Sequence, residues 1–175
     1  MPISTPCISF PQALVIINGA NVSETSYVAL AQTFADMSPE FGFNLFVAVP
    51  KPVIPSWPDP ITTPRVVASS VRKLMKLTIL NPKFDVYVAG HSLGGVFLKD
   101  TEKLYAGFLM FASYVQTANF IQGDWTKPTL HISGERDGQM RMSRIAVLQK
   151  DLSAYMEQEQ EDPLKFPFVV IPVGL

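Results

Sequence analysis

Histidine and cysteine are scarce in this 175-residue chain, which has two of the first and one of the second. The lone cysteine, Cys7, excludes an intramolecular disulfide and any metal site built from cysteines alone. Carboxylates and histidines at metal-ligand spacing are missing too, so neither a metal nor a cofactor is expected. Charge is thin: 17% of residues are charged, below the roughly 25% of an average domain, and 14 basic against 15 acidic side chains leave a net charge of −1. With no basic block or stripe, nucleic acid is not an expected partner, and no polybasic helix marks a membrane surface. The opening MPISTPCISFPQ has no basic n-region and no continuous apolar run, so it does not read as a secretory leader. No apolar stretch reaches the ~20 residues of a membrane span. The expectation is a soluble, cytoplasmic protein.

What the chain does have is short apolar runs at regular intervals, within a composition that is 47% hydrophobic. Residues 13–17, 43–49, 84–89, 107–112, 129–133 and 166–173 each read as a buried strand. Helical patterns fall between several of them. One follows a cap at Ser23 or Thr25, one opens at Thr63-Pro64, one follows residue 92, and one covers about 140–160. Apolar strands alternating with helices predict an α/β fold, a mostly parallel sheet of about six strands flanked by helices on both faces. Residues 1–12 read as an extension and 13–175 as one domain.

Strand 84–89 runs into Gly90-His91-Ser92-Leu93-Gly94-Gly95 and then into a helix-compatible stretch. Gly-x-Ser-x-Gly between strand and helix presents a serine at a sharp, strained turn, and side chains at the glycines would strike neighbouring backbone. The helix that follows aims free N–H groups at the serine, where they favour a developing oxyanion. A plain βα turn with serine as helix cap is the competing reading.

On this motif and the strand order, the chain resembles an α/β-hydrolase of the GHSLGG type, from about Ala13 to Leu175. It resembles a reduced member, without the antiparallel strands that usually open the fold. The resemblance implies a serine hydrolase cleaving a small ester or thioester through an acyl-enzyme on Ser92. It implies oxyanion donors at the backbone N–H groups of Leu93 and of Ala20, with Asn21 as the next choice and Asn18 standing where the family carries histidine. Asp137, just after the fifth strand, takes the place of the orienting acid. Asp-Gly is also a common turn pair, and Asp124 is held in reserve.

The base is missing. The family's histidine follows the last strand, and here the chain stops two residues beyond that strand. His91 is beside the serine, not facing it, and reads as a packing or hydrogen-bonding residue of the turn. His131 lies mid-strand and reads as a core histidine with a satisfied ring nitrogen. The expectation is a C-terminally incomplete hydrolase, nearly inactive as this chain. A catalytically dead domain used for binding is the alternative. The proline-rich loop VPKPVIPSWPDPITTP follows a strand whose end should face the site. Trp57 there is a possible substrate wall, while a polyproline-binding partner or plain loop packing are the other readings.

Overall fold

A computed structural model describes residues 10–77, 85–98, 101, 105–114, 126–134, 142–159 and 165–172. The apolar runs form β1 (Phe10–Ile17), β2 (Phe43–Ala48), β3 (Asp85–His91), β4 (Gly107–Phe111), β5 (Thr129–Gly134) and β6 (Phe168–Ile171). They make one sheet in the order β2-β1-β3-β4-β5-β6, and every pairing is parallel. The register sets Ile17 beside Gly90, His91 beside Phe111 and Phe111 beside Ile132. The C-terminal ends of the central strands therefore open on one edge.

β1 starts three residues before the predicted boundary, so part of the expected N-terminal extension is strand. Pro11 is paired there with Asn44 of β2. β6 is shorter than expected and lies at the sheet edge, with Val169, Val170 and Ile171 exposed.

Ser23 caps a 3-10 turn, Glu24–Tyr27, by accepting the Thr25 N–H at 3.3 Å, and the chain continues into α1 (Val28–Met37). The other helices are α2 (Thr63–Leu77), the short α3 (Leu93–Val96) and α4 (Met142–Glu159). α2 opens on the Thr63-Pro64 pair, as proline at a first helical turn predicts. Ahead of it, the Asp59 carboxylate accepts from the N–H groups of Ile61 and Thr62 and from the Thr62 hydroxyl. Those bonds, the Thr62 hydroxyl first, hold the Asp59 carboxyl below its ordinary pKa. The proline-rich loop therefore ends in a turn that delivers the chain to α2.

Alternation along β1 assigns the two faces. Ala13, Val15 and Ile17 pack with Val67 and Leu74 of α2 and with Ile145, Leu148 and Leu152 of α4. Leu14 and Ile16 pack on the other face with Tyr27 and with Ala31 of α1. Among the described residues, no helix is long and apolar enough to cross a membrane.

Candidate active site

Ser92 follows the last residue of β3 with φ 51° and ψ −124°, in a region that side chains other than glycine rarely occupy. Neighbouring backbone over-determines this strained conformation. The Ser92 N–H donates to the Phe111 carbonyl at 2.9 Å. Its carbonyl accepts from the Ser113 hydroxyl at 2.7 Å and from the Gly95 N–H at 3.1 Å.

The glycines of the motif let three backbone segments meet. A Cβ on Gly90 would lie 2.3 Å from the Gly95 Cα, one on Gly94 2.3 Å from the Asn18 carbonyl oxygen, and one on Gly95 2.3 Å from the Ser113 Oγ. Contacts that short allow no side chain.

The loop after β1 lies against the serine. A Cβ on Gly19 would sit 2.5 Å from His91 Nδ1 and 3.2 Å from Ser92 Cβ. Buried Asn18 ties the loop by donating from Nδ2 to the carbonyls of Gly19 at 3.0 Å and Val22 at 2.9 Å. Tyr27 joins loop and serine turn: its hydroxyl accepts the Gly19 N–H at 3.1 Å and lies 2.7 Å from His91 Nδ1. Burial pushes the Tyr27 pKa up, and the Gly19 N–H partly offsets this.

Ala20, Ser92, Leu93, Val96, Ala112, Ser113, Tyr114 and Arg144 line a cleft of about 310 Å³ at the C-terminal edge of the sheet. Ala112, like Ser92, holds a positive φ, 45°. Leu93 is the first residue of α3, so its N–H has no acceptor within the helix. Among the described residues the Ala20 N–H has no hydrogen-bond partner, whereas the Asn21 N–H donates to the Ser56 carbonyl at 2.8 Å. That bond removes Asn21 as a second donor. The structure thus gathers Ser92, Leu93 and Ala20 on one cleft, braced by Gly90, His91, Gly94 and Gly95. A larger, apolar groove of about 480 Å³ lies elsewhere, lined by residues such as Leu14, Phe34, Phe41 and Leu45.

Other sequence expectations fare differently. Asp137 and Asp124 lie outside the described residues. Trp57 is 43% exposed and is not among the residues that line the Ser92 cleft. His131 is buried as expected, but neither ring nitrogen has a partner among the described residues, which corrects the expected hydrogen bond. Its ring stacks on Phe168, centroids 4.4 Å apart and planes 8° from parallel, and burial lowers its pKa to about 4. It sits beside Met110, two residues before Ala112 reaches the cleft. Sequence reading missed Ser113, Tyr114 and Arg144. The available signal was that β4 neighbours β3, so residues just past its end must border the serine.

No protein-family model and no curated protein matches the chain. Solved structures do. An esterase shares 12% identity over 95% of this chain and 85% of its own, with TM-score 0.59. A thermostable esterase shares 15% over 99% of this chain, which spans half of that protein's length, with TM-score 0.60. An α/β serine hydrolase homologue from Coxiella burnetii shares 15% over 91% and 74%, with TM-score 0.56. The chain has the α/β-hydrolase fold.

Proposed function

We propose that the cleft is an acyl-transfer site in which Ser92 attacks the carbonyl of a small ester or thioester. The observation that carries this reading is a serine strained to φ 51° at a strand-to-helix turn, facing a cleft shared with the backbone of Ala20 and Leu93. In the reaction, Ser92 Oγ bonds to the carbonyl carbon, the carbonyl oxygen takes up negative charge, and the N–H groups of Leu93 and Ala20 stabilise it. Collapse breaks the bond to the leaving alcohol or thiol, which departs with the serine's proton. Water then releases the acid and regenerates the hydroxyl. Asp137 is the proposed acid. Some solved structures of the same fold are described as esterases and serine hydrolases, which supports the chemistry.

The proton transfer is the slow point. Neither histidine suits the base: His91 Nδ1 is engaged with Tyr27, and His131 is stacked in the core. A general base contributes typically 10²–10⁴-fold, so this chain on its own is expected to acylate slowly. Incubation with a fluorophosphonate followed by peptide mass spectrometry tests the reading. Slow modification confined to Ser92 and lost in Ser92→Ala is the expected result. Modification no faster than at other serines overturns the nucleophile, and fast stoichiometric labelling overturns the missing base.

The same two histidines favour a second reading, in which the cleft binds its ligand without turning it over. Ligand affinity unchanged in Ser92→Ala, with no modification of Ser92, selects it.

A further inference from the structure

Among the described residues that line the Ser92 cleft, the only charged side chain is Arg144, near the start of α4. The other described lining residues are neutral: small or apolar groups, two serine hydroxyls and a tyrosine. The Arg144 guanidinium lies over the Tyr114 ring, 5.3 Å from its centroid. A ring face holds a guanidinium by attraction to the π-system while leaving its N–H fork free to point elsewhere. Among the described residues no carboxylate pairs with Arg144. An exposed arginine in contact only with a ring keeps its donors for a ligand, and a fork of parallel N–H groups matches a carboxylate.

From this we infer that the cleft selects acyl groups that carry their own carboxylate, such as monoesters or monothioesters of a short dicarboxylic acid. Arg144 would bind the distal carboxylate while the ester carbonyl lies at Ser92. This assignment rests on the acyl-transfer reading of Ser92. A cleft of about 310 Å³ lined by both Ser92 and Arg144 has room for a ligand of that size. A neutral ester of equal length would leave the guanidinium unpaired, so the discrimination comes from charge rather than shape. Because Arg144 is solvent-exposed, water and salt weaken the contact, so the preference is modest and falls at high ionic strength.

The test compares monomethyl succinate with methyl levulinate, its neutral isostere, titrated into the full chain and followed by ¹H–¹⁵N chemical shifts. Monomethyl succinate is expected to bind about tenfold more tightly at low salt, as for one charge-assisted hydrogen-bonded pair. Arg144→Gln should erase that ratio, Arg144→Lys should keep part of it, and Ser92→Ala should keep all of it. Equal affinities, or a preference that survives Arg144→Gln, overturn the inference. Fluorophosphonate labelling separates the two levels. Slow labelling of Ser92 without an anion preference defeats this inference and leaves the acyl-transfer reading standing. An anion preference that needs Arg144 but comes with no Ser92 labelling defeats that reading and leaves the carboxylate contact standing.

Discussion

Tyr27 and Ser113 both brace the serine turn through one hydroxyl, yet removing each hydroxyl should have different consequences. The Tyr27 hydroxyl is the acceptor for the Gly19 N–H and also touches His91 Nδ1. In Tyr27→Phe the ring still fills its place, but the Gly19 N–H loses that acceptor. A buried donor left unsatisfied costs about 1–3 kcal/mol. Urea unfolding should show a loss in that range, and Ser92 labelling should slow because the loop carrying Ala20 is less tightly held. Ser113 donates to the Ser92 carbonyl, which also accepts the Gly95 N–H. Ser113→Ala leaves that carbonyl its backbone bonds, the Gly95 N–H among them, and the expected loss is only about 0.5–1.5 kcal/mol. If Ser113→Ala proves as costly as Tyr27→Phe, the remaining backbone bonds do not satisfy the carbonyl.

At the scale of the element, the serine turn works because backbone passes backbone with no side chain between. Gly90→Ala would bring Cβ to 2.3 Å from the Gly95 Cα, where no flexible group can move aside. The expected loss is about 3 kcal/mol or more, as for the severest overpacking. Gly42 is the contrast. It has φ 82° at the end of a 3-10 turn, and a Cβ there meets nothing within 4 Å. Gly42→Ala should cost only the backbone strain, about 1–2 kcal/mol. Urea midpoints of the two variants separate steric exclusion from backbone preference, and similar losses would undo the distinction. The glycines were legible because the Gly-x-Ser-x-Gly spacing is itself the steric requirement. The strands were legible because burial on both faces makes them apolar runs. The start of β1 was not, because Pro11 argues against a central strand and nothing local announces its pairing with Asn44 of β2. Tyr27 carried no signal, since nothing local says that its hydroxyl meets His91 across 64 positions of chain. Arg144 had no motif either: its place beside Ser92 exists only when α4 packs on the sheet.

At the scale of the whole molecule, His131 couples the fold to pH. It is 1% exposed, stacked on Phe168, and without a partner for either ring nitrogen among the described residues. Folding must therefore keep it neutral, and burial lowers its pKa from 6.5 to about 4. The unfolded chain takes a proton on this ring below about pH 6.5, while the folded chain does not until about pH 4. Between those values the unfolded state binds more protons, so stability falls as the pH falls. Its contribution is complete above pH 6.5, and the full loss reaches roughly 3 kcal/mol by pH 4, a large share of the 5–15 kcal/mol of an ordinary domain. Urea unfolding at pH 7 and pH 4.5 should show a marked loss for the native sequence. His131→Leu keeps an apolar group of similar reach in the same pocket and removes the titrating ring. It should lose much less between the two pH values, whatever its stability at pH 7. An equal loss in both proteins would place the acid sensitivity on the carboxylates instead, whose protonation acts over the same range.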